Sequence, residues 1–340
     1  MITSLEIENL RGIGAGRLEE LAPLTILTGP NACGKSAVLD ALLIGASPDP
    51  GDAVGRAVER HPATDGGSRW LFRKGSRKAK VTLTDDSGKG WLRNLEWLDH
   101  CDEGLQEELI HRRSPPPYSM VLSGESEYAD EAVFGTTAFG GDNQFLGERR
   151  GGRGTSKVAL ARLVDPGLPV PLHRTFTMVS EAGRRDLVHT LLADLLPGFE
   201  RLEIIALTDQ DFGLAVTSEG RSVPVGLSGD GIQAFIQLAL EVAVAPEGLV
   251  LVEEPEVYQH PSTLRHSARV LLANLRRGVQ TVLTTHSLEL IDALVSEAEP
   301  RDLDSIALFN LGLEDGFLKS GRRAGEDLRF SRAILETSIQ

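Results

Sequence analysis

The stretch that decides the fold is Gly29-Pro30-Asn31-Ala32-Cys33-Gly34-Lys35-Ser36. It fits the pattern G-x-x-x-x-G-K-[ST] at every fixed position. The run Leu24–Thr28 before it is typical of a buried strand, and Ser36–Ile44 after it has the apolar spacing of a helix. A strand, a glycine-rich turn and a helix in this order predict a loop that holds phosphate groups.

The residue types of this loop suit a nucleotide and its metal ion. Glycines let backbone N–H groups curl around phosphate oxygens, and the helix N-terminus adds partial positive charge. Lys35 is expected to reach the β- and γ-phosphates of ATP, and the Ser36 hydroxyl is expected to ligate Mg²⁺. The residues predicted to contact the nucleotide here are Gly29, Pro30, Asn31, Ala32, Cys33, Gly34, Lys35, Ser36 and Ala37.

A second chemical feature is an acidic strand end. The apolar run Leu249–Val252 is followed by Glu253 and Glu254. A carboxylate at the end of such a strand holds Mg²⁺ in phosphoryl-transfer sites, so Glu253 is the predicted metal ligand and Glu254 the residue that polarises the attacking water. Aspartate is commoner at the metal position, and the extra methylene of Glu253 lengthens or loosens that contact. A solvated acidic turn is the structural alternative.

Two further turns have a functional and a structural interpretation. Leu227–Gly231 precedes a predicted helix, Gly231–Val244, and a Ser-Gly turn at a helix start is an anion-binding device. Asp230 is alternatively only the N-cap of that helix. His286 follows the buried run Thr281–Thr284 and is predicted to hydrogen-bond the γ-phosphate or the attacking water, although a histidine at a strand end is often structural.

The order of predicted elements indicates an α/β sheet with parallel strands. After residue 160, predicted strands and helices alternate through Leu249–Val252, Ser262–Leu275, Thr281–Thr284 and Leu288–Ser296. The middle, from Ser47 to about Thr155, is rich in Gly, Pro, Ser and charge. Only Val81–Asp85 is predicted there as a strand, and Pro115–Pro117 and Gly147–Gly154 are predicted as loops.

Composition limits the class of protein. The 340 residues have a formal net charge of −14, which argues against a surface that coats nucleic acid but leaves room for a local basic groove. Two cysteines cannot build a disulfide framework or a zinc cluster. We expect a cytoplasmic protein without a signal peptide or membrane span.

Together these motifs resemble those of the ATP-binding-cassette ATPases, and more narrowly the RecF, SMC and OLD-like heads with their standalone bacterial AAA-type relatives. The resemblance implies an α/β P-loop NTPase fold with a mostly parallel core sheet, an antiparallel β portion and a helical signature lobe. It implies a single head with lobe I at about 1–110 plus 246–340 and lobe II at about 111–245. The motifs that carry it are Ile7–Gly12, Gly29–Ser36, Leu227–Gly231, Glu253–Glu256 with His260-Pro261, and Thr285–Ser287.

The resemblance also implies a head-to-tail homodimer with ATP between the phosphate loop of one subunit and the signature turn of the other. In it Ser228 and Gly229, with Gly231 beside them, contact the γ-phosphate in trans. Lys35, Glu254 and His286 are the implied catalytic residues, with Glu254 as the base and His286 as the switch. Arg11 is an implied nucleotide contact. A glutamine that ligates the metal is also implied, and Gln144 is the first candidate, followed by Gln106.

The implied function is a nucleotide-gated ATPase that controls a separate effector, a nuclease or Toprim-type protein, in genome maintenance or phage defence. The chain lacks the coiled-coil pattern of SMC proteins, and the stretch after His286 is too short for the Toprim domain of OLD nucleases. One alternative is a DNA-binding clamp without an effector, and another is a nucleotide-sensing scaffold with negligible turnover. The basic segments Arg69–Lys80 and Arg149–Lys157 are candidate DNA contacts, or else a basic edge strand and a solvated loop, or a surface for an acidic partner.

Overall fold

The strand, loop and helix predicted around the phosphate loop form at the expected positions. A computed structural model describes residues 1–60, 67–126, 134–142, 144–150, 162–166, 170–208, 210–245 and 248–330. In it a strand spans Leu24–Thr28, as predicted, and a helix begins at Lys35 and ends at Ala46. The eleven buried residues of this helix explain why its sequence is almost continuously apolar.

The elements are named in chain order. The strands are β1 (Ile2–Leu10), β2 (Ile13–Glu19), β3 (Leu24–Thr28), β4 (Lys78–Asp85), β5 (Gly90–Leu98), β6 (Ser119–Ser126), β7 (Phe134–Phe139), β8 (Phe145–Arg150), β9 (Arg162–Val164), β10 (Phe199–Ala206), β11 (Phe212–Ser218), β12 (Arg221–Pro224), β13 (Leu249–Glu253), β14 (Gln280–Thr284), β15 (Ile306–Glu314) and β16 (Phe317–Ala324). The helices are α1 (Lys35–Ala46), α2 (Pro50–Glu59), α3 (Glu103–His111), α4 (Leu172–Glu181), α5 (Arg185–Leu195), α6 (Asp230–Val244), α7 (Pro261–Arg276), α8 (Leu288–Glu297) and α9 (Pro300–Leu303).

Contacts divide the chain into two units. Unit 1 is Met1–Leu21, Gly29–Ala161 and Asn310–Gly321, and unit 2 is Ala22–Thr28, Arg162–Phe309 and Arg322–Gln340. This grouping differs from the lobe boundaries expected from the resemblance, which remain a prediction. Among the described residues, no helix is both long and apolar enough to cross a membrane.

Unit 1 is built on an antiparallel sheet with the strand order β8-β7-β6-β5-β4-β1-β2. Strand β16 adds to β2 in parallel, with Phe317 opposite Ala15. Buried and exposed residues alternate along β4, where Ala79, Val81 and Leu83 face the core. The strand predicted at Val81–Asp85 and the loop predicted at Pro115–Pro117 are confirmed. The loop predicted at Gly147–Gly154 is wrong for residues 147–150, because the alternation continues through β5 and the sheet extends to β8.

Unit 2 contains the predicted parallel sheet, in the order β3-β14-β13-β9. Strands β3, β13 and β14 are buried except for Thr28 and Glu253, the last residues of β3 and β13, which explains their apolar sequences. Helices α4, α5 and α7 pack against α6. A separate antiparallel sheet, β10-β11-β12, completes the unit. The α/β class, the parallel core and the antiparallel portion are therefore confirmed.

Two arginines fix the end of α6, the helix that follows the signature turn. Arg184 donates to the carbonyls of Ala243 and Ala245 at 2.8 and 2.6 Å. Arg277 donates to Val242 and Ala245 at 2.8 and 3.0 Å. Cations at a helix C-terminus satisfy its last carbonyls and complement the helix dipole. These contacts fix the position of α6 along its axis. They therefore also fix the position of the signature turn at its N-terminal end.

Unit 1 contains a buried ion cluster on α1. The Asp40 carboxylate is fully buried, contacts the Arg11 guanidinium and lies 3.0 Å from Nη1 of the buried Arg60. Arg11 also donates to the carbonyl of Ala57 at 2.6 Å. One carboxylate thus joins the β1–β2 turn, α1 and the end of α2.

We expect Asp40→Ala to lower the free energy of unfolding by about 3–5 kcal/mol, because removing one member of a buried ion pair leaves buried charge without its counterion. Urea titration followed by circular dichroism measures this. The matched control is Asp52→Ala, whose carboxylate makes an exposed pair with Arg56 at 2.7 Å and should cost at most about 0.5 kcal/mol. Equal losses in the two variants would contradict a central role for Asp40.

Candidate active site

The phosphate loop has a backbone that only glycine allows at two positions. Gly29 and Gly34 have φ values of +139° and +98°. A Cβ on Gly29 would lie 2.4 Å from the carbonyl oxygen of Leu311, so a side chain has no room there. Pro30, Asn31 and Ala32 form the exposed crest of the loop, and Ala32 has a positive φ of +61°. The two glycines therefore fix the curl of the loop at both of its ends.

The Lys35 ammonium group lies inside this curl. Lys35 is only 6% exposed, and Nζ donates to the carbonyls of Gly29 and Pro30 at 3.1 and 3.2 Å. The sulfur of the buried Cys33 is 3.8 Å from the same nitrogen. A buried cation with carbonyl partners is pre-positioned for an anion that approaches the loop.

The start of α1 suits a phosphate group. Gly34 is its N-cap and supplies no side-chain hydrogen bond, and the first turn of α1, which is described in full, contains no acidic residue. The first N–H groups of a helix lack partners within the helix, and its dipole places partial positive charge there. Ser36 and Ala37 follow Lys35 in this turn. The loop therefore fits a polyphosphate by shape, by charge and by its hydrogen-bond donors.

The strand-end residues of unit 2 meet because their strands pair in parallel. Glu253 is opposite Thr284 in the β13–β14 register. Glu254 follows with φ +41°, and its N–H donates to the carbonyl of Thr284 at 3.1 Å. Beyond β14, Nε2 of His286 lies 3.3 Å from Oε1 of Glu254. The structure thus brings together the predicted base and the predicted switch histidine.

Glu256 makes contacts that the sequence did not suggest. Its Oε1 accepts hydrogen bonds from the Thr285 hydroxyl and from the His286 backbone N–H, both at 2.8 Å. The one feature of the sequence that could have indicated Glu256 is its place in Glu254-Pro255-Glu256. That motif contributed to the resemblance, which implied no role for its third residue. Glu256 therefore joins the candidate site.

The signature turn forms an exposed helix start. Gly229, with φ +81°, is the N-cap of α6, so Asp230 lies in the first turn and the alternative that it is the N-cap was wrong. The Ser228 hydroxyl lies 3.4 Å from the carbonyl of Pro224. A Cβ on Gly231 would lie 2.7 Å from the carbonyl oxygen of Tyr258, so this glycine allows the turn after β13 to approach α6.

Arg11 and Gln144 have local partners that differ from the predicted ones. The Arg11 side chain is held by Asp40 and Ala57 in the ion cluster of unit 1, which competes with a nucleotide contact. Gln144 lies exposed in the turn between β7 and β8, with its N–H 3.3 Å from a carboxylate oxygen of Asp142. Gln106, the second candidate, lies on α3. None of these locations adds support to the predicted roles, which remain predictions.

The basic segment Arg69–Lys80 pairs three of its six basic residues with acidic residues of the protein. Its pairs with acidic residues are Arg77–Asp99 at 3.0 Å, Lys78–Glu96 at 3.4 Å and Lys80–Glu8 at 3.4 Å. The Arg69 and Arg77 guanidinium groups lie 5.3 and 5.2 Å from the ring centroid of Trp97. The pairs with acidic residues lower the net positive charge of the segment, and a DNA contact here remains a prediction. Of the second segment, Arg149–Lys157, residues 151–157 and the side chains of Arg149 and Arg150 lie outside the described part.

Within the described residues, no group of three or more His, Cys, Asp or Glu side chains could hold a metal ion. Mg²⁺ bound with a nucleotide needs only one or two protein ligands, because waters and phosphate oxygens complete its octahedron. The ligands predicted from the sequence, Ser36 and Glu253, carry a hydroxyl and a carboxylate, which are oxygen donors of the kind that Mg²⁺ prefers. The residues present therefore fit a nucleotide-bound metal.

Two family models match the chain. One is described as "AAA domain, putative AbiEii toxin, Type IV TA system" and matches residues 155–292. The other is described as "AAA domain" and matches residues 4–122. The first match contains the signature turn and the strand-end residues, and the second contains the phosphate loop.

Comparisons with individual proteins agree with these matches. The uncharacterized protein MJECL11 of Methanocaldococcus jannaschii is 32% identical over 109 residues, which are 32% of this chain and 86% of that protein. The DNA double-strand break repair Rad50 ATPase of Methanopyrus kandleri is 26% identical over 141 residues, which are 42% of this chain but only 14% of that protein.

A solved structure shows the same fold. An SMC head bound to the C-winged helix domain of ScpA has a TM-score of 0.55 at 14% identity, and the match covers 96% of this chain and 99% of that one. The fold, the motifs and the two family models lead to one conclusion. They support a P-loop ATPase of the RecF/SMC/Rad50 type, and the chain has the fold of an SMC head.

Proposed function

We propose that the protein binds ATP at the phosphate loop and hydrolyses it. The observation that carries this proposal is the Lys35 ammonium, which is held inside the loop at 3.1 and 3.2 Å from two carbonyls, at the start of a helix without acidic residues in its first turn. A lysine in this place contacts the β- and γ-phosphates and offsets their charge. Ser36 and Glu253 would hold Mg²⁺, which neutralises phosphate charge when bound.

Glu254 is the proposed general base. It follows a buried strand, and its carboxylate contacts the imidazole of His286 at 3.3 Å. A base must be oriented as well as present, and contact with a neighbouring ring restricts the rotation of the carboxylate. In this role Glu254 accepts a proton from the attacking water while His286 holds it in position.

We further propose that ATP closes a head-to-tail dimer. Support comes from the signature turn, where Leu227 is 77% exposed and Ser228 and Gly229 stand at the N-terminus of the long helix α6. A helix N-terminus attracts anions, and an exposed apolar side chain next to it suits burial against a second copy. In this arrangement Ser228, Gly229 and Gly231 lie next to the γ-phosphate bound by the other subunit.

The closed dimer would control a separate partner. The SMC head whose fold is similar is bound to a domain of ScpA. One relative is described as a DNA double-strand break repair ATPase, and one matching family model as a putative toxin. These descriptions favour a role in genome maintenance or phage defence with an effector encoded elsewhere. An effector that binds only one dimer state is switched by the difference between its affinities for the two states.

We expect Lys35→Ala to weaken ATP binding by about 10- to 150-fold, because a charge-assisted hydrogen bond to phosphate is lost. Isothermal titration calorimetry with ATP and Mg²⁺ measures the dissociation constant. Lys89→Ala, at an exposed turn of the same unit, is the control and should bind like the wild type. Unchanged affinity in Lys35→Ala would refute the assignment of the phosphate loop.

Glu254→Gln should bind ATP normally but hydrolyse it about 10²- to 10⁴-fold more slowly, because the general base is removed. ATP-bound subunits should then accumulate as dimers, which size-exclusion chromatography with light scattering detects by mass. The control is Glu181→Gln, at the exposed end of α4. The same mass for Glu254→Gln with and without ATP would argue against dimerisation driven by nucleotide.

A further inference from the structure

Glu256 is a carboxylate without an assigned role that contacts the switch residue. Its Oε1 accepts hydrogen bonds at 2.8 Å from the Thr285 hydroxyl and from the His286 N–H. We propose that Glu256 is a positioning residue, which holds His286 where its ring can orient Glu254. This proposal rests on the proposed function, since it concerns the same hydrolysis reaction.

The two glutamates of the Glu-Pro-Glu turn contact the same residue from two sides. Glu254 lies 3.3 Å from the His286 ring, and Glu256 lies 2.8 Å from its backbone nitrogen. The buried Pro255 fixes φ between them, and the turn is closed by a hydrogen bond from the N–H of Val257 to the carbonyl of Glu254 at 3.0 Å. The turn thus fixes His286 at its backbone as well as at its ring.

The His286 side chain depends on this anchor for its position. Its side chain is 39% exposed, so packing alone restrains the ring weakly. The preceding residue is held firmly, because Thr285 is fully buried and its N–H donates to the carbonyl of Leu27 at 3.0 Å. Glu256 extends that restraint by one residue, from the buried strand end to the histidine.

The environment of Glu256 is costly for a carboxylate. Its Oε2 is buried and has no hydrogen-bond partner in the described part of the chain. Burial of a carboxylate oxygen without a donor opposes folding. A carboxylate that is kept in an environment unfavourable for folding indicates that the site requires it. A glutamate in a solvated acidic turn would not carry this cost.

The test compares Glu256→Ala with Glu256→Gln. Glu256→Ala loses both accepted hydrogen bonds, so kcat should fall about 10- to 100-fold, as expected for lost charge-assisted bonds that orient the base, while the dissociation constant of ATP stays within about threefold. Glutamine carries an amide oxygen that accepts the same two bonds. Glu256→Gln should therefore recover most of the lost rate.

Glu181→Ala is the control for substitution of a surface glutamate, and thermal unfolding reports on the folding of each variant. An unchanged kcat in Glu256→Ala would overturn the proposal. So would a loss of ATP affinity as large as the loss of kcat, or a Glu256→Gln rate as low as that of Glu256→Ala. An unchanged kcat would show that Glu256 has no role in the reaction. An equal loss of ATP affinity would indicate a defect in nucleotide binding. A low rate in Glu256→Gln would show that the hydrogen-bond acceptor at this position is not what the reaction requires.

A second readout separates this proposal from the proposed function. In protein with isotopically labelled histidine, the NMR resonances of the His286 ring should shift on Glu254→Gln, because the two side chains are in contact. The shift should persist in the Glu256→Gln background and disappear in the Glu256→Ala background. A shift of equal size in Glu256→Ala would overturn the positioning role, whereas an absence of ATP hydrolysis by the wild-type protein would overturn only the proposed function.

Discussion

Backbone hydrogen bonds hold the parallel strands β3, β14 and β13 in one register. This register fixes where along the sheet each strand ends, and so where the candidate catalytic residues of unit 2 lie. Leu27 is opposite Thr284, and Thr284 is opposite Glu253, so the three strands end together. A shift of one residue would turn every side chain to the other face. Only the last residues of β3 and β13, Thr28 and Glu253, are partly exposed, so core packing opposes such a shift and fixes the positions of the glutamates and the histidine.

The site residues work as a layered set rather than as independent groups. Thr285 is fixed by the sheet, Glu256 fixes the backbone of His286, and the His286 ring contacts Glu254. Exposure rises from Thr285, which is fully buried, to the side chains of His286 and Glu254, which are 39% and 35% exposed. Such an order places the proposed switch histidine on a rigid foundation.

The elements of unit 2 could be predicted closely from the sequence, because their signals are local. The apolar run Leu249–Val252 became β13, and the helix predicted at Gly231–Val244 became α6, which begins one residue earlier. The antiparallel strands beyond β4 were missed because glycine and charged residues interrupt their alternation. The contacts of Arg11 and Glu256 were missed because they join residues far apart in the chain. The lone Asp40 in the apolar run of α1 was the available sign that Arg11 is needed as its counterion.

The central claim is that one ATP is hydrolysed by residues of two subunits, and mixing two inactive variants tests it most directly. Lys35→Ala lacks the phosphate-binding lysine, and Ser228→Arg blocks the signature turn. In a head-to-tail dimer, a mixed pair contains one intact combination of phosphate loop and signature turn, so an equal mixture should recover up to about a quarter of the wild-type ATPase rate. A rate no higher than the average of the two variants measured separately would contradict a site completed in trans.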